Sequence, residues 1–187
     1  MNMYLDKKRE KRVALIKEIV NYVLTVLIAF ALAFCFVMFF FQTTSVVGDS
    51  MSSALVNKDQ AVLFKAAYVF KKPKRYDVIK FTIEKSDRSH EFIKRVVALP
   101  GEKVQIVGGE LYVDGTILEN EYITDLISTA GIADEEVVLG KDEYFVMGDN
   151  CNNSEDSRFT NVGAVTSEEI DGRIIGTIKG FNFSSLD

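Results

Sequence analysis

Hydrophobic and polar positions divide this chain into two unlike stretches. From Ile19 to Phe41 there are 23 residues without a charge, mostly Val, Leu, Ile, Ala and Phe, with Asn21, one Tyr and one Thr between them. As a helix that run is about 35 Å long at about 1.5 Å per residue, enough to cross a hydrocarbon core of about 30 Å. A core helix of a small domain is rarely apolar on every side for so long. A cleavable secretory signal expects an apolar stretch of about 7–15 residues, so the length favours an uncleaved anchor. The small residues Thr43, Thr44 and Ser45 keep the cleavable alternative open.

Beyond the run the period changes to that of short strands separated by turns. Segments 61–64, 77–83, 144–147 and 174–178 are rich in β-branched and aromatic residues. Residues 104–107 and 110–113 flank Gly108-Gly109, which reads as a hairpin because two glycines accept the positive φ of a tight turn. Asp114-Gly115 repeats the signal before 116–118. Residues 119–136 are acidic and less regular, a candidate surface insertion, and no internal repeat or low-complexity tract is visible. The expectation is a mainly β protein: an N-terminal transmembrane helix followed by an all-β, partly barrel-like domain. The expected divisions are 1–18, a basic cytoplasmic N-terminus; 19–41, the anchor; and 42–187, one extracytoplasmic domain of ordinary size.

Charge supplies the orientation. Lys7, Lys8, Arg9, Lys11, Arg12 and Lys17 precede the span against Asp6, Glu10 and Glu18, so residues 1–18 carry +3 and the remainder −8 of the net −5. The positive-inside rule keeps that end in the cytoplasm and exports the chain beyond Phe41. An acidic outer domain argues against nucleic acid as a partner. Cys35 lies in the span and Cys151 beyond it, so they are not expected to pair, and one His with two separated Cys supplies no metal-ligand set.

Three windows carry candidate chemistry. Ser50 stands in Gly48-Asp49-Ser50-Met51, just past the span. A serine hydroxyl is a weak nucleophile until a base takes its proton, and Gly48 permits a sharp backbone whose N–H groups face a developing oxyanion. Taken alone, the fragment reads equally as an exposed loop serine. In the second window, a strand over 92–99 places Phe92, Lys94, Val96 and Ala98 on one face and Ile93, Arg95 and Val97 on the other. A lysine among apolar neighbours loses proton affinity and becomes a usable base. One of Lys94 and Arg95 is expected near the core, and the pattern leaves open which. The third window, Gly148-Asp149-Asn150 through Ser154-Glu155-Asp156-Ser157-Arg158, reads on its own as an Asn-rich turn. With one histidine, a Ser-His-Asp triad has a single candidate centre, and a Ser-Lys pair needs none. His90 sits in the polar run 85–91, which looks like a solvated loop; a base role for it competes with Lys94.

Together these windows resemble the type I signal peptidases, membrane-bound serine proteases with lysine as base, in a single-span form like that of Gram-positive bacteria. The resemblance extends from the anchor to about Gly172. It implies a signal-peptidase-type catalytic domain with Ser50 as nucleophile and Lys94, in its Lys-Arg pair before Leu99-Pro100-Gly101, as base. Ser154 would hydrogen-bond and orient the lysine amine, while Asp149, Asp156 and Arg158 brace the site, an Asp–Arg pair locking the loop by bidentate contact. Some relatives carry a second oxyanion hydroxyl where Gly48 stands, so here the hole rests on backbone N–H groups, including that of Ser50. Val46, Met51, Leu55, Phe92 and Ile93 are expected to line shallow apolar pockets, with the substrate as an extended strand beside 43–46 and 91–94. The implied partners are exported preproteins with signal peptides and the lipid membrane, and no cofactor is required.

The chain departs from the family pattern in places. Ser53 and Ala54 stand where Pro and Thr are usual, Tyr76 replaces the glycine of Arg-Gly-Asp, and Ala98 replaces another glycine. Loss of the proline is expected to free the nucleophile loop, and loss of the threonine to remove a hydrogen bond. These changes suggest a member dedicated to few substrates, such as surface or pilus proteins. The competing readings are a self-cleaving regulator of the repressor type, which neither the anchor nor the acidic domain fits, and a non-catalytic membrane-tethered chaperone or scaffold for surface-protein assembly.

Overall fold

A computed structural model of the chain describes residues 2–85, 88–119, 121–180 and 182–186. It divides into two units, Met1–Phe40 and Phe41–Asp187. The first is one helix, α1 (Asn2–Phe40), whose stretch Lys11–Phe40 is long and apolar enough to cross a membrane. Every side chain from Lys11 to Phe39 is exposed within the chain. Thr25 Oγ1 donates to the Asn21 backbone carbonyl at 2.9 Å, so the hydroxyl is satisfied along the helix. The helix ends at Phe40, and Phe41 already pairs as a strand. The side chains of Lys7 and Lys8 lie outside the described set.

Among its described residues the second unit holds twelve strands: β1 (Phe41–Ser45), β2 (Gln60–Phe64), β3 (Val78–Lys85), β4 (Arg88–Ala98), β5 (Lys103–Val107), β6 (Glu110–Val113), β7 (Thr116–Ile117), β8 (Val137–Val138), β9 (Glu143–Met147), β10 (Val165–Thr166), β11 (Ile170–Lys179) and β12 (Asn182–Ser185). A large antiparallel sheet runs in the order β1-β2-β11-β3-β4-β9-β10, with β12 on β11, and a small one in the order β7-β6-β5-β8. The expected turns form where the glycines stand. Gly108 and Gly109 have φ of 62° and 86°, and Asp114 and Gly115 have φ of 50° and 76°, the twist that two-residue hairpins require.

Alternation fixes the layers. On β3, Ile79, Phe81 and Ile83 enter a core with Val96, Tyr144 and Val146. The small sheet packs Val104, Ile106, Leu111 and Val113 against Val97, Phe145 and Met147. A third core joins Val46, Met51 and Leu55 to Leu63, Val78 and Ile174. Each large side chain buried this way contributes about 1.5–3 kcal/mol, which lets the domain hold together with both cysteines free.

Two sequence expectations are corrected. The described residues of the run 85–91 belong to strands: β3 reaches Lys85 and β4 begins at Arg88, so exposed His90 lies within a strand opposite Ile83. Ser86 and Asp87 of that run lie outside the described residues. The segment 119–136 is more than a surface insertion, since Ile127 and Ala133 are buried in the core beneath the small sheet. Asn120 of that segment lies outside the described residues.

Candidate active site

The site begins with an interrupted strand edge. β9 pairs with β4 only from Arg95, opposite Met147, to Ala98, which leaves the same edge of 91–94 open. β1 is the terminal strand of the same sheet. Residues 44–48 and 91–94 line one cleft of about 300 Å³, together with Ser50, Met51 and Lys80. Two strand edges walling a cleft suit an extended peptide, whose backbone finds partners there and whose alternate side chains meet pockets.

Ser50 is held in the cleft by its loop. Leu55 N–H and Ala54 N–H both donate to the Met51 carbonyl, at 2.6 and 2.9 Å, coiling 51–55 into a turn seated on buried Met51 and Leu55. Asn150 N–H donates to the Ser50 carbonyl at 3.0 Å and Asn150 Nδ2 to the Asp49 carbonyl at 3.2 Å. Gly148 makes this approach feasible: a Cβ there would overlap Ser154 Oγ and lie 2.5 Å from the Ser50 carbonyl oxygen. Gly48 takes φ of 86°, a left-handed turn that a side chain would strain, and its N–H donates to Asn57 Oδ1 at 3.3 Å. The N–H of Ser50 has no acceptor among the described residues.

Lys94 Nζ lies 2.6 Å from Ser50 Oγ. The lysine is 4 % exposed, and burial pulls its pKa down from 10.5 to about 8. The Asp156, Glu155 and Asp149 carboxylates oppose that fall and the Arg158 guanidinium adds to it, but desolvation is the largest cause. An appreciable share of the amine is therefore neutral near pH 8, within hydrogen-bonding distance of a serine hydroxyl.

The choice between Lys94 and Arg95 resolves as both, since Arg95 is 3 % exposed on the opposite face. Its Nε and Nη2 each donate to Asp149 at 2.7 Å, Nη1 donates to the Tyr76 carbonyl at 2.9 Å, and the guanidinium stacks 3.7 Å from the Tyr122 ring centroid. A planar fork with several donors can be satisfied in a core where a bare ammonium is left short of partners. Asp149 also accepts from Ser53 Oγ at 3.0 Å. The expected freeing of the nucleophile loop is thus corrected: the serine in the proline's place ties that loop to a buried ion pair.

Asp156 and Arg158 make a second bidentate pair, Nε to Oδ1 at 2.8 Å and Nη2 to Oδ2 at 2.9 Å. Asp156 Oδ2 also accepts from Ser154 Oγ at 2.7 Å and from Gly148 N–H at 3.1 Å. Ser154 is expected to orient the lysine amine; in the structure its hydroxyl donates to Asp156, which leaves its lone pairs as acceptors. Arg158 Nη1 reaches the Thr129 carbonyl at 3.0 Å, and Arg158 O accepts from Ile132 N–H at 2.8 Å. A Cβ on Gly131 would overlap that Arg158 carbonyl. The irregular 119–136 segment is therefore a brace for the loop carrying Asp156 and Arg158.

Of the expected pocket residues, Val46, Met51, Phe92 and Ile93 line the cleft, and Leu55 does not, being fully buried in the core below it. Sequence reasoning missed Lys80, and it placed Gly148 and Asn150 in the third window without assigning either a role. Lys80 is signalled by alternation on β3, where Lys80, Thr82 and Glu84 oppose Ile79, Phe81 and Ile83. Its amine pairs with Glu91 at 2.8 Å and Asp171 at 3.3 Å, and Thr82 Oγ1 donates to Asp171 at 2.8 Å. Among the described residues no cluster of three or more His, Cys, Asp or Glu is placed to hold a metal ion.

A family model described as "Signal peptidase, peptidase S26" matches residues 19–178. Signal peptidase I P of Bacillus subtilis subsp. natto is 29 % identical over 89 % of this chain and 90 % of its own length. Signal peptidase I U of Bacillus subtilis is 32 % identical, covering 90 % and 88 % respectively. Among solved structures, a signal peptidase I from Enterococcus faecalis matches 56 % of this chain and 97 % of its own at 27 % identity, with a TM-score of 0.45.

Proposed function

The chain belongs to the signal peptidase family, peptidase S26, and on that premise we propose that Ser50 is its nucleophile and Lys94 its general base. It is a membrane-associated serine endopeptidase that removes signal peptides from exported preproteins. The observation that carries the residue assignment is the 2.6 Å contact between Nζ and Oγ, made by a lysine whose burial lowers its pKa to about 8.

The chemistry follows from those atoms. Neutral Lys94 accepts the Ser50 proton as Oγ attacks the scissile carbonyl, and the Ser50 N–H is positioned to donate to the oxyanion. The resulting ammonium is less costly at that moment, because negative charge has appeared beside it. Collapse expels the amine, which takes the proton from Lys94 and leaves an acyl-enzyme. Lys94 then accepts a proton from the hydrolytic water and returns one to Ser50. Asp156, Arg158, Asp149 and Arg95 act by holding two loops against each other rather than by proton transfer.

In this reading the substrate's residues before the cut extend along the open edge of β4. Met51, Val46 and Ile93 limit the size of the side chains that fit. α1 crosses the membrane with the basic N-terminus in the cytoplasm, which puts the catalytic domain outside. Anchoring concentrates enzyme and signal peptide on one surface. The ion-paired Lys80 and Glu91 in the cleft wall support a narrowed substrate range, since covering them with an apolar side chain dehydrates a charge pair.

A serine-directed acylating inhibitor tests the assignment. Stoichiometric labelling mapped to the Ser50 peptide and lost in Lys94→Met supports it. Labelling that persists in Lys94→Met removes the lysine, and no labelling of folded protein removes the nucleophile.

A further inference from the structure

Two lysines border the cleft, and their surroundings push them in opposite directions. Burial lowers the pKa of Lys94, whereas that of Lys80 is raised above its usual 10.5. Burial opposes that rise, and the hydrogen bonds and charges of Glu91 and Asp171 outweigh it, so Lys80 stays an ammonium. Its side chain is 9 % exposed, while that of Glu91 is 60 % exposed. The chemistry at Ser50 makes no use of this second lysine.

Three strands assemble the cluster around it. Lys80 and Thr82 on β3 are the Cα partners of Ile93 and Glu91 on β4, so the four side chains share one face of the sheet. The pairing of β11 with β3 shifts register between Ile170 and Gly172, and Asp171 stands at that irregularity. A bulge re-aims a side chain, and here the Asp171 carboxylate accepts from the Thr82 hydroxyl at 2.8 Å and the Lys80 amine at 3.3 Å. Glu91 meets the same amine at 2.8 Å. One ammonium thus faces two carboxylates, and the more exposed of the two stands in the cleft wall with it.

The open edge of β4 decides which part of a substrate arrives there. β9 occupies that edge from Arg95 onward, so a strand laid on it runs from Lys94, beside Ser50, back toward Glu91. Ile93 packs on the core that holds Val46 and Met51 and borders the side chain next to the cut. Along an extended chain every second side chain returns to the same face, roughly 6.6 Å further on. Glu91 is two residues from Ile93 on that face, so it meets the third residue before the cut.

We propose that Lys80 and Glu91 select a small hydroxylated side chain, Ser or Thr, as the third residue before the cut. The hydroxyl donates to the Glu91 carboxylate and accepts from the Lys80 ammonium, taking over from solvent. An apolar side chain of equal size removes that solvent and returns no hydrogen bond, which penalises Val against Thr. An acidic side chain meets two carboxylates for one ammonium and is repelled. This selection presupposes Ser50 as nucleophile and the peptide path along β4. It adds a polarity filter to the size filter formed by Val46, Met51 and Ile93.

Preproteins differing only at that position, with Thr, Val, Ser, Ala or Asp, test it on the purified full-length protein in detergent, the cut located by mass spectrometry. Thr and Val have nearly the same shape, so their ratio reads polarity and not size. The expected kcat/KM for Thr exceeds that for Val by at least about 10-fold, the effect of a hydrogen bond to a charged group. Ser should exceed Ala, and Asp should be cleaved least. In Glu91→Gln, which leaves Lys80 its Asp171 partner, the Thr preference should shrink. In Lys80→Met combined with Glu91→Gln it should vanish or reverse, with faster cleavage of the Val substrate. The single variant changes an exposed side chain, so it reads the preference even if the double one unfolds. Equal values for Thr and Val in the wild type overturn the polarity filter and leave the dyad standing. A Thr preference unchanged by Glu91→Gln removes Glu91 from the selection and overturns it, as does an Asp substrate cleaved best. No cleavage of any of these substrates by folded wild type overturns the protease reading of the cleft, and the selection with it.

Discussion

Lys94 Nζ rests 2.6 Å from Ser50 Oγ although the two residues are 44 positions apart and on different elements. A third segment joins them, since Asn150 holds the Ser50 carbonyl and Asp149 holds Arg95, the neighbour of Lys94. The pair is thus fixed from outside, by a loop over 148–158.

Activity should rise with pH through the titration of Lys94. Because burial lowers its pKa to about 8, kcat/KM is expected to climb as pH passes that value and to level off above it. Lys94→Arg should not restore activity, because a guanidinium keeps its proton. A profile flat from pH 6 to 10, about two units either side, would assign the base elsewhere.

The same shift has a signature in stability. In the unfolded chain Lys94 keeps its ordinary value of 10.5, and in the folded chain about 8. Below about pH 8 the folded protein must bury an ammonium, so the full penalty applies; above about 10.5 both states are neutral and it vanishes. Stability relative to Lys94→Met should therefore increase between those limits, by about 3 kcal/mol in all. Denaturant titrations of both proteins across that window measure it; a constant difference would mean Lys94 is solvated.

Gly148→Ala is expected to impair chemistry more than folding. The added methyl meets the Ser50 carbonyl at 2.5 Å and Ser154 Oγ, and displacing the nucleophile by such an amount costs about 100-fold in kcat. Gly115→Ala, where nothing lies within 4 Å, should cost about 1 kcal/mol of stability through its positive φ and leave kcat alone. Equal effects of the two on kcat would separate Gly148 from the site.

Arg95→Ala should destabilise the domain by about 3–5 kcal/mol, since it leaves Asp149 charged, buried and short of its main partner. Ser53→Ala, losing one hydrogen bond to the same carboxylate, should cost about 1 kcal/mol. Thermal or denaturant midpoints decide between this order and its reverse, which would make the serine rather than the arginine the main hold on Asp149.

Much of this was legible in the residues. An uncharged apolar run needs no partner to be recognised, and Gly108-Gly109 announces its turn because few other residues tolerate two successive positive φ values. Single-window reasoning failed where burial is settled by residues far along the chain. The alternation on β4 pointed to one buried cation and the structure buries two, because Asp149, 54 positions away, arrives to pair with Arg95. Residues 119–136 look like solvated chain because they are acidic and aperiodic, yet Gly131 lets their backbone approach Arg158. His90 reads as loop because the residues around it in the sequence, 85–91, are all polar. Position 53 shows a departure from a family pattern acquiring its own contact, which only the spatial neighbour Asp149 reveals.

The most direct test of the dyad is cleavage of a preprotein by the purified full-length protein in detergent, with the cut located by mass spectrometry. Wild type should cut after a small-x-small site, while Ser50→Ala and Lys94→Met, folded by circular dichroism, should lose at least about 1,000-fold in rate. A cut at the same bond by either variant at near wild-type rate would contradict the assignment of nucleophile and base.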